Sequence, residues 1–179
     1  MKKIAHIVLL SILMSCNILC ADVKLYANQQ YGMPVFKYAT PQTWEYLRSG
    51  LNYLESPHPL SRPESVSSGY MHPDGKGFGP LGFSPGAYED VQRVYPYFRQ
   101  YSWEDVISSS FVYDLANRAY ADWLLCNLQD SIPQSPAAWQ IFDVVHKAWN
   151  LGLTGYRKGK NVASSRIKRA EEFINGIAL

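Results

Sequence analysis

The stretch HPDGKGFGPLGFSPGAYEDV, from His72 to Val91, places five glycines and three prolines directly ahead of a helix-like segment. A loop of this kind can cradle a phosphate, let the backbone approach a ligand closely, or simply turn the chain. Phosphate binding is excluded, because the spacing is not that of a P-loop and no Lys-Ser/Thr pair follows the glycines. His58, His72 and Asp74 are metal-ligating residue types, but they lack a recognised ligand spacing, so neither a metal nor another cofactor is expected. The cysteines, Cys16, Cys20 and Cys126, form neither a disulfide framework nor a zinc pattern. Cys126, within Trp-Leu-Leu-Cys, reads as a buried, inert thiol. Two carboxylates upstream of the glycines, Glu55 and Glu64, each precede a serine. On its own, Glu55 reads as a solvated residue at a helix end.

The elements that must position these groups are helical. Thr40-Pro41 supplies a cap and a first-turn proline, and Trp44, Leu47, Leu51 and Leu54 follow as one apolar stripe. Pro57 and Pro59 end this helix near Glu55-Ser56. The segment from Ser56 to Phe83 is long and irregular, a length usually associated with function or disorder. Ser84-Pro85 opens a helix to about Tyr95, and Ser102 to Asp105 a short one. Ser110 to Leu128 is a longer helix, with Phe111, Leu115, Tyr120, Leu124 and Leu128 among its apolar positions. Ser135-Pro136 starts another, with Ile141, Val145 and Ala148 as its stripe and Gly152 as its stop. Ser164 or Ser165 begins the last, anchored by Ile167, Ala170 and Ile174. No period-two strand is evident, so the fold class is mainly α.

The N-terminus reads as an export signal over residues 1–21. Lys2 and Lys3 precede an apolar run, Ile4 to Met14, that is too short to span a bilayer. Leu13-Met14-Ser15-Cys16 has the form of a bacterial lipobox, which would put a lipid anchor on Cys16; cleavage after Ala21 and a retained membrane anchor are the alternatives. Residues 22–39 form a leader segment, and residues 40–179 a single domain large enough for its own core. Without the two signal lysines, the 17 basic residues become 15, equal to the 15 acidic ones. That balance argues against nucleic acid as the main partner.

In order along the chain come a helix ending in Glu-Ser, the segment Gly77-Phe78-Gly79-Pro80-Leu81, the helix containing Tyr88-Glu89-Asp90-Val91, Ala148-Trp149-Asn150-Leu151-Gly152, and the basic Gly155-Tyr156-Arg157-Lys158. This order resembles the lysozyme-like superfamily, particularly soluble-type lytic transglycosylases and goose-type lysozymes, over roughly Thr40 to Phe173. There a catalytic Glu at a helix end precedes a serine, a glycine motif follows, and a later Ala-Tyr-Asn-Ala-Gly motif lines the cleft.

The resemblance implies a lysozyme-like domain whose long Gly/Pro-rich loop lines a cleft, in an exported protein of the bacterial envelope acting on peptidoglycan glycan strands. Glu55 would be the proton donor, with Glu64 the second candidate because its Ser61-Arg62-Pro63 approach is not helical. Such an acid works near neutral pH when an apolar site raises its pKa. Ser56, Gly77, Phe78, Gly79, Trp149, Asn150 and Tyr156 would contact the glycan. Core packing for Trp149 and helix capping for Asn150 remain open alongside those roles. Asp74 would position water in a hydrolytic relative, or serve only as a Pro-Asp-Gly turn residue. Arg157 and Lys158 could meet an anionic peptide stem or form a solvated basic loop. Gly82 departs from the family pattern, which has Gln there, and that opens three readings: a lytic transglycosylase, a non-catalytic glycan-binding or envelope scaffold relative, and a hydrolytic muramidase.

Overall fold

The computed structural model describes residues 41–55 and 67–176. The export signal with Cys16 and Cys20, the leader segment, Ser56, His58 and Glu64 lie outside the described residues. The described part is mainly α-helical, as the apolar periodicity predicts.

Helix α1, Pro41–Glu55, starts at the expected first-turn proline. Trp44, Leu47, Leu51 and Leu54 recur every three or four residues and are all buried. Gly50 lies on the same helix, where a side chain would run into the rings of Phe142 and Phe173. Glycine therefore lets α1 sit close against two later helices, α5 (Ala138–Arg157) and α6 (Ser164–Ile174).

Between them run α2 (Pro85–Val94), a 3-10 turn (Pro96–Gln100), α3 (Trp103–Ser108) and α4 (Ser110–Asn127). Their starts follow side-chain chemistry. Ser84 Oγ accepts from Ala87 N, and Ser102 and Asp105 cap each other's backbone N–H groups. The latter hydrogen bonds hold the Asp105 carboxyl below the usual range. Helix α4 is buried on most of its circumference, through Tyr113, Ala116, Asn117, Tyr120, Ala121, Trp123, Leu124 and Leu125, and it packs against α2, α3 and α5.

Three expectations are corrected. Phe111 is 71% exposed; the inward face of α4 runs through Tyr113, Ala116, Tyr120 and Leu124, and Phe111 falls outside it. Helix α5 begins at Ala138 rather than Ser135-Pro136, where the Gln140 side chain accepts from Ala137 N. At Gly152, where the sequence puts the stop, φ of 66° and ψ of 160° break the helical backbone of α5, and a second helical stretch runs on to Arg157. Cys126 is half-buried rather than part of the core.

Helix α4 also brings Asp122 against α1, beside Thr43, Trp44 and Leu47. Burial pushes its carboxyl up to about 6 from an ordinary value near 3.8, against the opposing pull of Arg118. With a raised folded-state pKa, the group's contribution to stability is fully present below 3.8 and is lost as pH rises through about 6. Asp122→Asn should therefore be more stable than wild type at pH 7, by roughly 1–2 kcal/mol, where each tenfold change in proton affinity is worth ~1.4 kcal/mol. The advantage should shrink towards pH 4. Urea denaturation at both pH values checks this, and equal midpoints at pH 7 would contradict it.

Candidate active site

Glu55 is the last residue of α1, and the buried stripe before it fixes its position. Helix α6 grips this helix end. Arg169 donates to the carbonyls of Tyr53 and Leu54, groups left without helical partners at a C-terminus. Its guanidinium also lies 5.0 Å from the centre of the Tyr53 ring. One turn earlier, Arg166 Nη1 is 2.6 Å from Glu55 Oε1. Both side chains are largely withdrawn from water, 17% exposed for Glu55 and 11% for Arg166.

The glycine-rich segment closes over the other carboxylate oxygen. It forms a small antiparallel arrangement in which Phe78 bridges Met71 on one side and Phe83 on the other. Phe78 and Phe83 exchange backbone hydrogen bonds of 2.8 and 2.9 Å. The turn between them carries Gly79 and Gly82 at φ near +66° and +60°, in the left-handed region that favours glycine. A Cβ on Gly82 would lie 2.7 Å from Glu55 Oε2, and one on Gly77 would lie 2.8 Å from Gly82 O. The two glycines let the loop backbone reach the carboxylate.

Two aromatic side chains hold that turn from beneath. The Tyr113 hydroxyl donates to Phe78 O at 2.7 Å and accepts from Leu81 N at 3.1 Å. Burial raises its pKa, and the charge of Glu55 also raises it. The Trp149 indole N–H donates to Leu81 O at 3.0 Å. The Leu81 peptide is thus held at both ends, one residue before Gly82.

Trp149 is 9% exposed, with Phe83 and Tyr120 against its ring. Of the two readings open in the sequence, this is the packing one: the ring lies within the core and its polar edge supports the loop. Asn150 is exposed, and Tyr156 and Phe78 are half-buried. Gly77 and Gly79 are buried. Asp74 is exposed and accepts from Lys76 N at 3.0 Å, serving its own turn. Arg157 and Lys158 are exposed, and Arg157 donates to Asn127 O. Among the described residues, no group of His, Cys, Asp and Glu could hold a metal ion.

The charge of Arg166 also reaches α5, at residues unmarked by any motif. His146 on α5 is fully buried, with Nε2 3.4 Å from Asp143, at the long limit of a contact. Burial pushes its pKa down; Asp143 opposes this, and the positive charge of Arg166 adds to it. The nearby His146, and Lys147 bonded to the carboxylate at 2.7 Å, hold the Asp143 carboxyl down to about 2. Comparison with protein-family models, curated sequences and solved structures gives no match.

A side chain at position 82 would collide with the Glu55 carboxylate, and the backbone there has φ near +60°. Gly82→Gln should therefore lower stability by roughly 1–3 kcal/mol, from left-handed strain and overpacking. Urea denaturation measures the loss, and a variant as stable as wild type would mean that the loop stands off from Glu55.

Proposed function

We propose that this domain cleaves the glycan of bacterial peptidoglycan as an exported lytic transglycosylase, with Glu55 as its single catalytic residue. The observation that carries the reading is the Glu55 setting. A carboxylate at the end of an apolar-striped helix is mostly withdrawn from water and faces a glycine backbone held by two aromatic side chains. Sites on rigid elements hold catalytic geometry within the tolerance that proton transfer needs.

In this mechanism the protonated Glu55 donates to the glycosidic oxygen between N-acetylmuramic acid and N-acetylglucosamine. The substrate's own acetamido oxygen stabilises the sugar C1 as the bond breaks, so no second protein carboxylate is needed. Glu55, now ionised, takes the proton from the muramyl 6-hydroxyl, whose oxygen closes on C1 to give a 1,6-anhydro end. Gly77 and Gly79 belong to the loop that forms one cleft wall, with Phe78 at its half-exposed surface. Asn150 and Tyr156 are the residues on α5 that would meet the glycan, while Trp149 acts by holding the loop. Glu64 stays second to Glu55 as the acid, because only Glu55 has a described scaffold.

A second reading has its own support. With Oε1 on Arg166 and Oε2 against Gly82, Glu55 is also well suited to a purely structural role in a glycan-binding or envelope scaffold protein. Hydrolysis, the third reading, would need a positioned water, and Asp74 is occupied by its own turn. Export with a lipid on Cys16, or in soluble periplasmic form, belongs to the same proposal.

Glu55→Gln separates the first two readings, since the amide keeps the shape but cannot shuttle the proton. Release of anhydro-muropeptides from purified sacculi should fall by at least ~10²–10⁴-fold, with the helical circular dichroism spectrum retained. Unchanged release from a folded Glu55→Gln protein would remove Glu55 from the chemistry.

A further inference from the structure

The ion pair that buries Glu55 also blocks it. A carboxylate whose Oε1 sits 2.6 Å from a guanidinium, and whose Oε2 faces Gly82, cannot carry a proton to a glycosidic oxygen until Arg166 gives it up. Yet Arg166 cannot be left alone. A nearly buried guanidinium without a counter-ion is strongly unfavourable. The groups on α5 offer no substitute: His146 adds to the positive side when charged, and Asp143 is already bonded to Lys147.

Arg166 has unused capacity. Only Nη1 meets Glu55, while Nε and Nη2 are out of solvent and have no hydrogen-bond partner. Nε and Nη2 form the flat edge that binds a carboxylate by two parallel hydrogen bonds. Arg166 also stands in the first turn of α6, next to the exposed Ala163, Ser164 and Ser165, at the edge of the described structure.

We propose that Arg166 is a specificity latch, exchanging Glu55 for a carboxylate carried by the muramyl residue of the glycan. The incoming carboxylate takes the Nε–Nη2 edge and becomes the counter-ion. Glu55 Oε1, released from the guanidinium, takes up a proton from solvent and can then donate it to the glycosidic oxygen. A neutral glycan supplies no replacement charge and leaves the latch shut. This inference rests on the proposed glycan cleavage, and it adds what that reading lacks: discrimination between carboxylated and neutral strands of the same sugar backbone.

The test uses the full chain and three substrates of matched length: stem-bearing peptidoglycan strands, strands stripped of peptide so that only the lactyl carboxylate remains, and neutral chitooligosaccharide. Wild type should prefer carboxylated to neutral strands in kcat/KM by roughly ten- to hundredfold, the value of charge-assisted hydrogen bonds. In Arg166→Gln that ratio should fall close to one, and Arg166→Lys should lie between. Removing the peptide frees the lactyl carboxylate, which is an amide in stem-bearing strands: stripped strands cleaved faster than stem-bearing ones assign the lactyl carboxylate, and stripped strands that match the neutral ones assign the carboxylates of the stem. An undiminished ratio in folded Arg166→Gln overturns the latch. If wild type cleaves none of the three, the cleavage reading fails, and calorimetric binding to the same three ligands decides the latch alone: a preference abolished by Arg166→Gln supports it, and equal binding by wild type overturns it. If Arg166→Gln does not fold, the wild-type Arg166 Nε–H resonance decides. It should shift with N-acetylmuramic acid and not with N-acetylglucosamine, and an equal response to both overturns the proposal.

Discussion

The C-terminal end of α1 is where this structure concentrates its electrostatic demand. A helix end carries carbonyls without partners and a partial negative charge, and here the last residue adds a full carboxylate. Two arginines one turn apart on α6 answer both needs, Arg169 the carbonyls and Arg166 the carboxylate. That contact requires α6 to lie along α1, and Gly50 gives α1 the close approach to Phe142 and Phe173 that brings α5 and α6 together beside it. A buried ion pair is weak evidence of stability, because desolvation offsets much of the attraction. Its stronger effect is on geometry, since losing either partner strands the other.

The glycine-rich segment depends on the same fixed point. Its turn reaches Glu55 only because positions 77 and 82 have no side chain, and it stays there because Tyr113 and Trp149 hold the Leu81 peptide from α4 and α5. The loop therefore takes its position from three helices rather than from its own short pairing. Its glycines serve close backbone approach, and the immediate object of that approach is the carboxylate of Glu55.

Much of the scaffold was legible in the sequence, because helices declare themselves through apolar spacing and caps. The Trp44–Leu54 stripe, the Ser84 and Ser102 caps and the Ser164 start all lie where the pattern puts them. Glu55 could be singled out by its place after that stripe, although its role came only through the family resemblance. Gly152 breaks the helical backbone as the pattern expects, and the short helical stretch that follows it was not legible. Arg166 and His146 could not be found. An arginine in Ser-Arg-Ile-Lys-Arg reads as part of a solvated face, and a histidine after two valines reads as core; only tertiary packing sets them together near Glu55. Trp149 was visible, but the partner of its N–H lies 68 positions away and no local pattern reveals it.

The central claim is that Glu55 moves a proton in glycan cleavage, and the most direct measurement is the mass of the products that the wild-type protein releases from purified sacculi. The account predicts muropeptides with 1,6-anhydro ends. Products heavier by one water would assign hydrolysis instead. No release across a pH series from acid to neutral would contradict cleavage altogether and leave the Glu55–Arg166 pair as a structural joint.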